Sequence, residues 1–245
     1  MVPSAVKKDR AESVSQDGPE KAGAGVPAYY KAECWRKFSK FYDFLVGLFF
    51  LPFGGEKRYR ARFVDFISPQ PGEQVLDVCC GTGTLTALVA RRLGDKGRVT
   101  GVDLSAAMIV KAHGKVTDLA ATFKTADVET LPFAPDSFDK EYVSFGLHEL
   151  PAGVRQAALG EMYRTLKAGG GLFVFDFNLA KSPLPRLAIR TFVRTFEEAD
   201  AYRMMLEGLR PQIEAAGFKV KEWRPVMGGM FQMIYAVKPA GKGDG

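Results

Sequence analysis

Apolar residues along this chain gather in two kinds of segment. Short unbroken runs bounded by glycine or proline alternate with longer stretches in which apolar positions recur every three or four residues. The runs suit strands covered on both faces and the stretches suit amphipathic helices, so the alternation predicts an α/β domain on a largely parallel sheet. Val75, Leu76 and Val78 form the first run, and Leu85, Leu88, Val89 and Leu93 then keep helical spacing from Thr84 to Leu93. Arg98 to Leu104 is the second predicted strand, with Ser105 as N-cap of the next helix. Ala121 to Ala126 and Phe138 to Phe145 are the third and fourth. Val154 to Leu166 reads as a helix closed by Lys167-Ala-Gly-Gly-Gly171, Leu172 to Phe177 as a fifth strand, and Leu206 to Ala216 as a last helix stopped at Gly217. Lys219 to Val226 and Phe231 to Lys238 face each other across Met227 to Met230 as an antiparallel pair. The expected fold has seven strands, mostly parallel with an antiparallel hairpin at the C-terminal end, and helices on both faces.

The turn after the first strand adds chemistry to this pattern. Gly81 and Gly83 allow a tight turn and close approach of backbone to a ligand. A dinucleotide fingerprint, G-x-G-x-x-G, requires glycine where Thr86 stands. The chain instead places an acid inside the strand, in the pattern Asp77-x-Cys79-x-Gly81-x-Gly83. Asp103 closes the second strand at a spacing that suits two ribose hydroxyls, and Asp127 closes the third. One acid at a strand end is as well explained by capping as by a ligand. Three in register with three strand ends point to a nucleoside.

The pattern from Asp77 to Gly83 resembles motif I of the class I S-adenosylmethionine (SAM) methyltransferases, whose fuller form has glycine where Cys79 stands. That resemblance implies a Rossmann-like core with SAM as cofactor. It assigns Asp77 to the methionine end, Thr82 and the glycine turn to the carboxylate, Asp103 to the ribose, and Asp127 with Val128 to the adenine, sandwiched by Leu104 and Met108. The segment Ser144 to Glu149 becomes the loop bordering the transferred methyl. His148 is then the candidate base, since its unperturbed pKa lies near neutrality, with Glu149 able to share or replace that role. A hydrogen-bonded loop residue is the plainer reading of His148.

Charge changes the picture once it is divided along the chain. The net charge is +6. Residues 28–64 carry eight basic and three acidic side chains, and residues 178–196 carry four basic and none acidic. Both segments lie where class I methyltransferases add substrate-covering elements. The expected organisation is a disordered tail over 1–27, a helical aromatic and basic lid over 28–64, and a core over 65–240 with a lid insertion at 178–205. The first lid holds Tyr29, Tyr30, Trp35, Phe38, Phe41, Tyr42, Phe44, Phe49, Phe50 and Phe53; in the second, Arg186, Arg190 and Arg194 recur every four residues. These features fit aromatics packed on the sheet beneath a solvated basic face, or an apolar pocket whose rim meets anionic lipid. Nucleic acid is disfavoured because Ser144-Phe-Gly-Leu147 stands where base-modifying relatives carry a Pro-Pro-aromatic motif. Cys34, Cys79 and Cys80 offer no disulfide framework and no metal-ligand spacing, which suggests a reducing cytoplasm, and residues 1–27 lack the apolar segment of a secretory signal.

From Tyr42 to Gly217 the chain resembles the UbiE/MenG group, the quinone-biosynthetic C-methyltransferases. The shared residues include Tyr42-Asp43, Gly81-Thr-Gly, Leu131-Pro-Phe133, Asp136-x-Phe-Asp139, Ser144-Phe-Gly-Leu147, Met162-Tyr-Arg-x-Leu-Lys167, Asp200-x-Tyr-Arg203 and Ala216-Gly-Phe218. The resemblance implies methyl transfer to an apolar small molecule such as a quinone, with Tyr42, Tyr202 and Arg203 binding it. Where the quinone enzymes carry Arg-Asn after Phe-Gly-Leu, this chain has His148-Glu149; the asparagine expected after Tyr-Asp is Val46. Phospholipid-headgroup nitrogen, phenolic oxygen or a thiol are the other acceptors considered, and a SAM-binding sensor or assembly partner is the non-catalytic reading.

Overall fold

The computed structural model describes residues 27, 42–51, 54–116, 120–197 and 199–240. The tail as far as residue 26, Tyr29, Tyr30, Trp35, Phe38, Phe41 and Phe53 lie outside the described residues.

Seven strands form one sheet in the order β3-β2-β1-β4-β5-β7-β6. They are β1 (Gln74–Val78), β2 (Arg98–Asp103), β3 (Ala121–Thr125), β4 (Phe138–Ser144), β5 (Leu166–Phe177), β6 (Lys219–Val226) and β7 (Phe231–Val237). β1 to β5 are parallel, while β7 runs antiparallel to both β5 and β6. The helices are α1 (Tyr42–Phe50), α2 (Glu56–Ile67), α3 (Thr84–Leu93), α4 (Ala106–His113), α5 (Ala152–Thr165), α6 (Pro183–Phe196), α7 (Ala199–Glu207) and α8 (Leu209–Ala215). Strand order proceeds from β1 toward β3 in one direction and from β4 to β5 in the other. Right-handed crossovers therefore lay α3 and α4 on one face and α5 on the opposite face, and they open a crevice at the C-terminal ends of β1 and β4.

Burial follows the apolar runs. Val75, Leu76, Val99, Val102, Val143, Leu172 and Val174 are fully enclosed, as strands covered on both sides must be. Helix α2 buries Tyr59, Phe63, Val64 and Ile67, and Phe63 packs 5.4 Å from Phe175 and edge-on to Tyr142.

Two expectations need correction. The glycine run 167–171 is part of β5 rather than a loop closing α5. Leu166 pairs with Phe138 and Gly171 with Lys140, so the residues between them bulge from the strand. The bulge folds tightly because Gly170 has no side chain: a Cβ there would stand 2.8 Å from Leu166 Cγ and from the Lys167 carbonyl. The last helix is also two helices. Gly208 adopts φ +79°, which ends α7 and starts α8 at the point where the sequence suggests continuous periodicity.

No helix among the described residues is long and apolar enough to cross a membrane.

Candidate functional site

β1 runs into α3 through the turn 79–83. Gly81 and Gly83 hold φ of +54° and +71°. Gly83 is required sterically as well, because a Cβ would lie 2.8 Å from that of Ala112 and 2.9 Å from the Phe123 ring. Cys79 adopts φ +58° with a side chain attached, a conformation that costs about 1–2 kcal/mol outside glycine. Its neighbour across the crevice is Gly146, where a Cβ would stand 2.6 Å from the Cys79 Cβ. Only one of the two positions has room for a side chain. Burial, and then Asp103 and Asp77, push both the Cys79 and Cys80 thiols well up, so neither is a reactive thiolate.

Asp77 lies buried beneath this turn, accepting from Thr86 Oγ1 at 2.5 Å and from the Tyr142 hydroxyl at 2.8 Å. Burial outweighs these donors and lifts its pKa to about 7. Asp103 ends β2, its two oxygens accepting from the amides of Gly81 (2.8 Å) and Ser105 (2.9 Å); burial still raises its pKa. Each oxygen retains lone pairs beyond those two bonds. Ser105 caps α4 by accepting from the Met108 amide, Met108 is buried and Leu104 is half-buried. Past β3, Asp127 accepts from the Glu129 amide at 3.0 Å beside buried Val128. Because β1, β2 and β3 are adjacent and in register, the glycine turn, Asp103 and Asp127 follow one another along a single sheet edge.

Helix α1 is tied to the turn by a polar cluster. Thr82, buried, donates to Asp43 at 2.7 Å; Lys115 Nζ reaches Asp43 at 2.8 Å, Thr82 at 2.7 Å and Thr84 at 2.6 Å. Burial pulls the Asp43 pKa upward, but Lys115 and Thr82 together bring it below the ordinary carboxylate value. Tyr42 opens the same helix.

On the other side of the crevice, Ser144 ends β4 half-buried, and the chain turns through Phe145 at φ +54° into the short helical turn Leu147–Glu149. His148 is buried there. Its Nδ1 lies 2.7 Å from Asp176, a fully enclosed carboxylate on β5 that also accepts from the amides of Leu147, His148 and Phe177. Nε2 lies 3.4 Å from Glu149 and 3.9 Å from Glu197. Burial disfavours the charged ring, yet Asp176 and then Glu149 overcome it and raise the His148 pKa well above the usual value. The same partners favour the protonated ring over the neutral one. The donor atoms of His148, Glu149 and Glu197 lie within 4.8 Å of one another. Arg155, buried on α5, donates to the carbonyls of Leu147 (3.2 Å) and Leu150 (2.7 Å) and so pins the turn from both ends.

Phenylalanines from four elements and the loop after β4 gather around His148. Phe177 lies 4.6 Å and Phe145 6.2 Å from the imidazole; Phe231 is within 5.5 Å of both rings; Phe50 reaches Phe145 at 5.8 Å. Helices α1 and α6 meet where Phe49 contacts Phe192 at 4.8 Å. Tyr202 is half-buried with the Arg194 guanidinium 5.6 Å from its ring, and Arg203 is exposed on α7, apart from this cluster.

Asp176, Glu197 and Lys115 were not singled out from the sequence, and Asp43 was named only beside Tyr42 in the family resemblance. Asp176 carried the same signal as Asp77, an acid inside an apolar strand. The contacts of Glu197, Asp43 and Lys115 join elements distant in sequence and leave no local mark.

The family model described as "ubiE/COQ5 methyltransferase family" matches residues 28–238. The chain is 31% identical to the ubiquinone/menaquinone biosynthesis C-methyltransferase UbiE of Methylococcus capsulatus, over 84% of this chain and 92% of that one. It is 33% identical to the demethylmenaquinone methyltransferase of Desulfitobacterium hafniense, over 64% of this chain and 62% of the relative. Among solved structures, the [4+2]-cyclase SpnF superposes with a TM-score of 0.65 at 19% identity, covering 89% of this chain and all of SpnF, a likeness of fold.

Proposed function

The chain belongs to the ubiE/COQ5 methyltransferase family and is a SAM-dependent methyltransferase; from that premise we propose that it methylates an apolar small molecule bearing an ionisable ring hydroxyl, of the quinol kind. One observation carries this reading. The His148–Asp176 pair lies buried among packed phenylalanines, which we take as the walls of the acceptor chamber, close to the loop residue Gly146 that meets Cys79 of the glycine turn.

The residues present suit the cofactor. The left-handed glycines, the absent Cβ at Gly83 and the Asp103 carboxylate provide a cradle and a ribose acceptor. Gly81, Thr82 and Gly83 would hold the methionine end, with Asp77 bracing the turn from below and Cys79 and Ser144 lining the crevice. Asp127, Val128, Leu104 and Met108 would hold the adenine. When bound, the cofactor supplies a sulfonium-activated methyl group.

The protein's task is then to orient the acceptor and make its carbon nucleophilic. Asp176 fixes the ring orientation of His148 and keeps it charged. The imidazolium would face the acceptor oxygen and stabilise it as the phenolate, the form whose ring carbon attacks; Glu149 takes the hydroxyl proton, and once the carbon–methyl bond has formed the hydrogen on that carbon leaves as a proton, restoring the aromatic ring. The aromatic walls exclude water and hold the ring plane. Acceptor binding is assigned to Tyr42, Tyr202 and Arg203. Helices α1 and α6 act as covers. The free thiols of Cys79 and Cys80 support a reducing cytoplasmic setting.

The test supplies purified protein with methyl-labelled SAM and a short-chain demethylated quinol. Label on a ring carbon with equimolar S-adenosylhomocysteine is expected. Label on oxygen, nitrogen or sulfur of another acceptor would replace the quinol reading, and tight SAM binding without any turnover would identify a sensor.

A further inference from the structure

We propose that the outer faces of α1 and α6 form a docking surface for an anionic bilayer, from which the aromatic chamber draws its acceptor; this rests on the apolar-acceptor reading above. Eight large hydrophobic side chains among the described residues are strongly exposed, and five belong to these two helices or the residue that follows α1: Phe44, Leu48, Leu51, Leu184 and Leu187. Scattered single apolar residues are ordinary on a protein surface, but this concentration on two touching helices is not.

The helical geometry sorts the side chains. On α1, Phe44, Leu48 and Leu51 recur at four and three residues and share one face, while Phe50 is buried. On α6, Ile189 and Val193 are buried and Phe192 turns inward to Phe49, leaving Leu184 and Leu187 outward. Arg186, Arg190 and Arg194 are exposed along the flank of the same helix, and Pro183–Phe196 contains no acid. An amphipathic helix with leucines outward and arginines beside them is built to lie in a lipid interface, its cations at the phosphates and its apolar side chains just below. The nine residues of α1 cannot span a bilayer, so contact is peripheral.

Charge selects the occupant. A second copy docked on this face through a two-fold axis would bring the arginine row against itself, whereas an anionic lipid surface complements it. The inner faces of the same helices pack against the chamber through Phe49, Phe50 and Phe192, which puts the docking face and the acceptor site on opposite sides of one layer of helix.

The test is flotation of the full chain with phosphatidylcholine vesicles, with and without about 30 mol % phosphatidylglycerol. Expected are capture by the anionic vesicles only, loss in high salt, a roughly thirtyfold weakening in the double variant Arg186→Gln/Arg190→Gln, and a clear weakening in Leu184→Ser/Leu187→Ser. Both variants keep wild-type SAM affinity, which shows them folded, and keep turnover of a short-chain quinol dispersed in water. No capture, capture indifferent to both variants, or concentration-dependent self-association abolished by them would each overturn the proposal. Absence of quinol turnover in the wild type would instead reject the acceptor reading and leave the docking result standing.

Discussion

The two sides of the crevice are built differently. The side proposed for the cofactor, β1 to β3, is shaped by backbone: Asp103 is held by the main-chain amides of Gly81 and Ser105 beside the left-handed glycine turn. The side proposed for the acceptor, β4 to β7, is shaped by side chains, as when His148 is held by the Asp176 carboxylate of the next strand and faced by Glu197 beyond α6. A site for a constant ligand can be written into a short motif. A site for a variable one is assembled from contacts that change without disturbing the sheet.

The separation is best broken by exchanging losses. His148→Ala and Asp176→Asn should each lower kcat by about 10²- to 10⁴-fold while SAM affinity by calorimetry stays within a few fold. Asp103→Ala should do the reverse, removing measurable SAM binding. If His148→Ala lost SAM affinity instead, the two sides would be one site. In the wild type, turnover should persist through neutral pH and fall as the His148 imidazolium is lost at higher pH; Asp176→Asn should move that fall to lower pH, because the neighbour that raises the pKa is gone.

Asp77 sharpens the comparison through stability. Its folded pKa of about 7 lies above the ordinary 3.8, so the unfolded chain ionises first as pH rises. The contribution is fully favourable below about pH 4 and is lost progressively up to about pH 7, a loss of at most about 4 kcal/mol. His148 acts in the same direction at higher pH, its contribution being lost as pH passes its raised folded pKa. Denaturant melts of Asp77→Asn from pH 4 to 8 should lack the first decline and keep the second.

The smallest effect concerns the seam between the sides. Gly146→Ala should cost about 1–3 kcal/mol, the usual range for overpacking, and Cys79→Gly should restore part of it by removing the atom 2.6 Å from the new methyl. Additive effects would mean that the contact does not couple the two sides.

Legibility in the sequence followed the same division. β1 to β4 and the terminal hairpin were readable because an apolar run bounded by glycine or proline is a local signal, and the left-handed turn was readable from Gly81 and Gly83. The start of β5 was not, since a glycine run looks like a loop until Leu166 finds Phe138. The break at Gly208 was hidden by continuous apolar periodicity through Leu206, Leu209 and Ile213. His148 was legible as a candidate, but its charge state was not: that depends on Asp176, 28 positions away, and on Glu197, which only the packing of α6 and α7 brings near.

Helix α1 belongs to both sides at once. Asp43 at one end is bonded to Thr82 of the glycine turn, and Phe50 at the other contacts Phe145 and Phe231 in the chamber, about 10 Å away at the rise of an α-helix. A rigid rod anchored at two places reports the filling of one to the other. The expected outcome in steady-state kinetics is an ordered sequence, SAM first and the acceptor second, checked by product inhibition: S-adenosylhomocysteine should be competitive against SAM alone, and random addition would show that the helix does not couple the two ends.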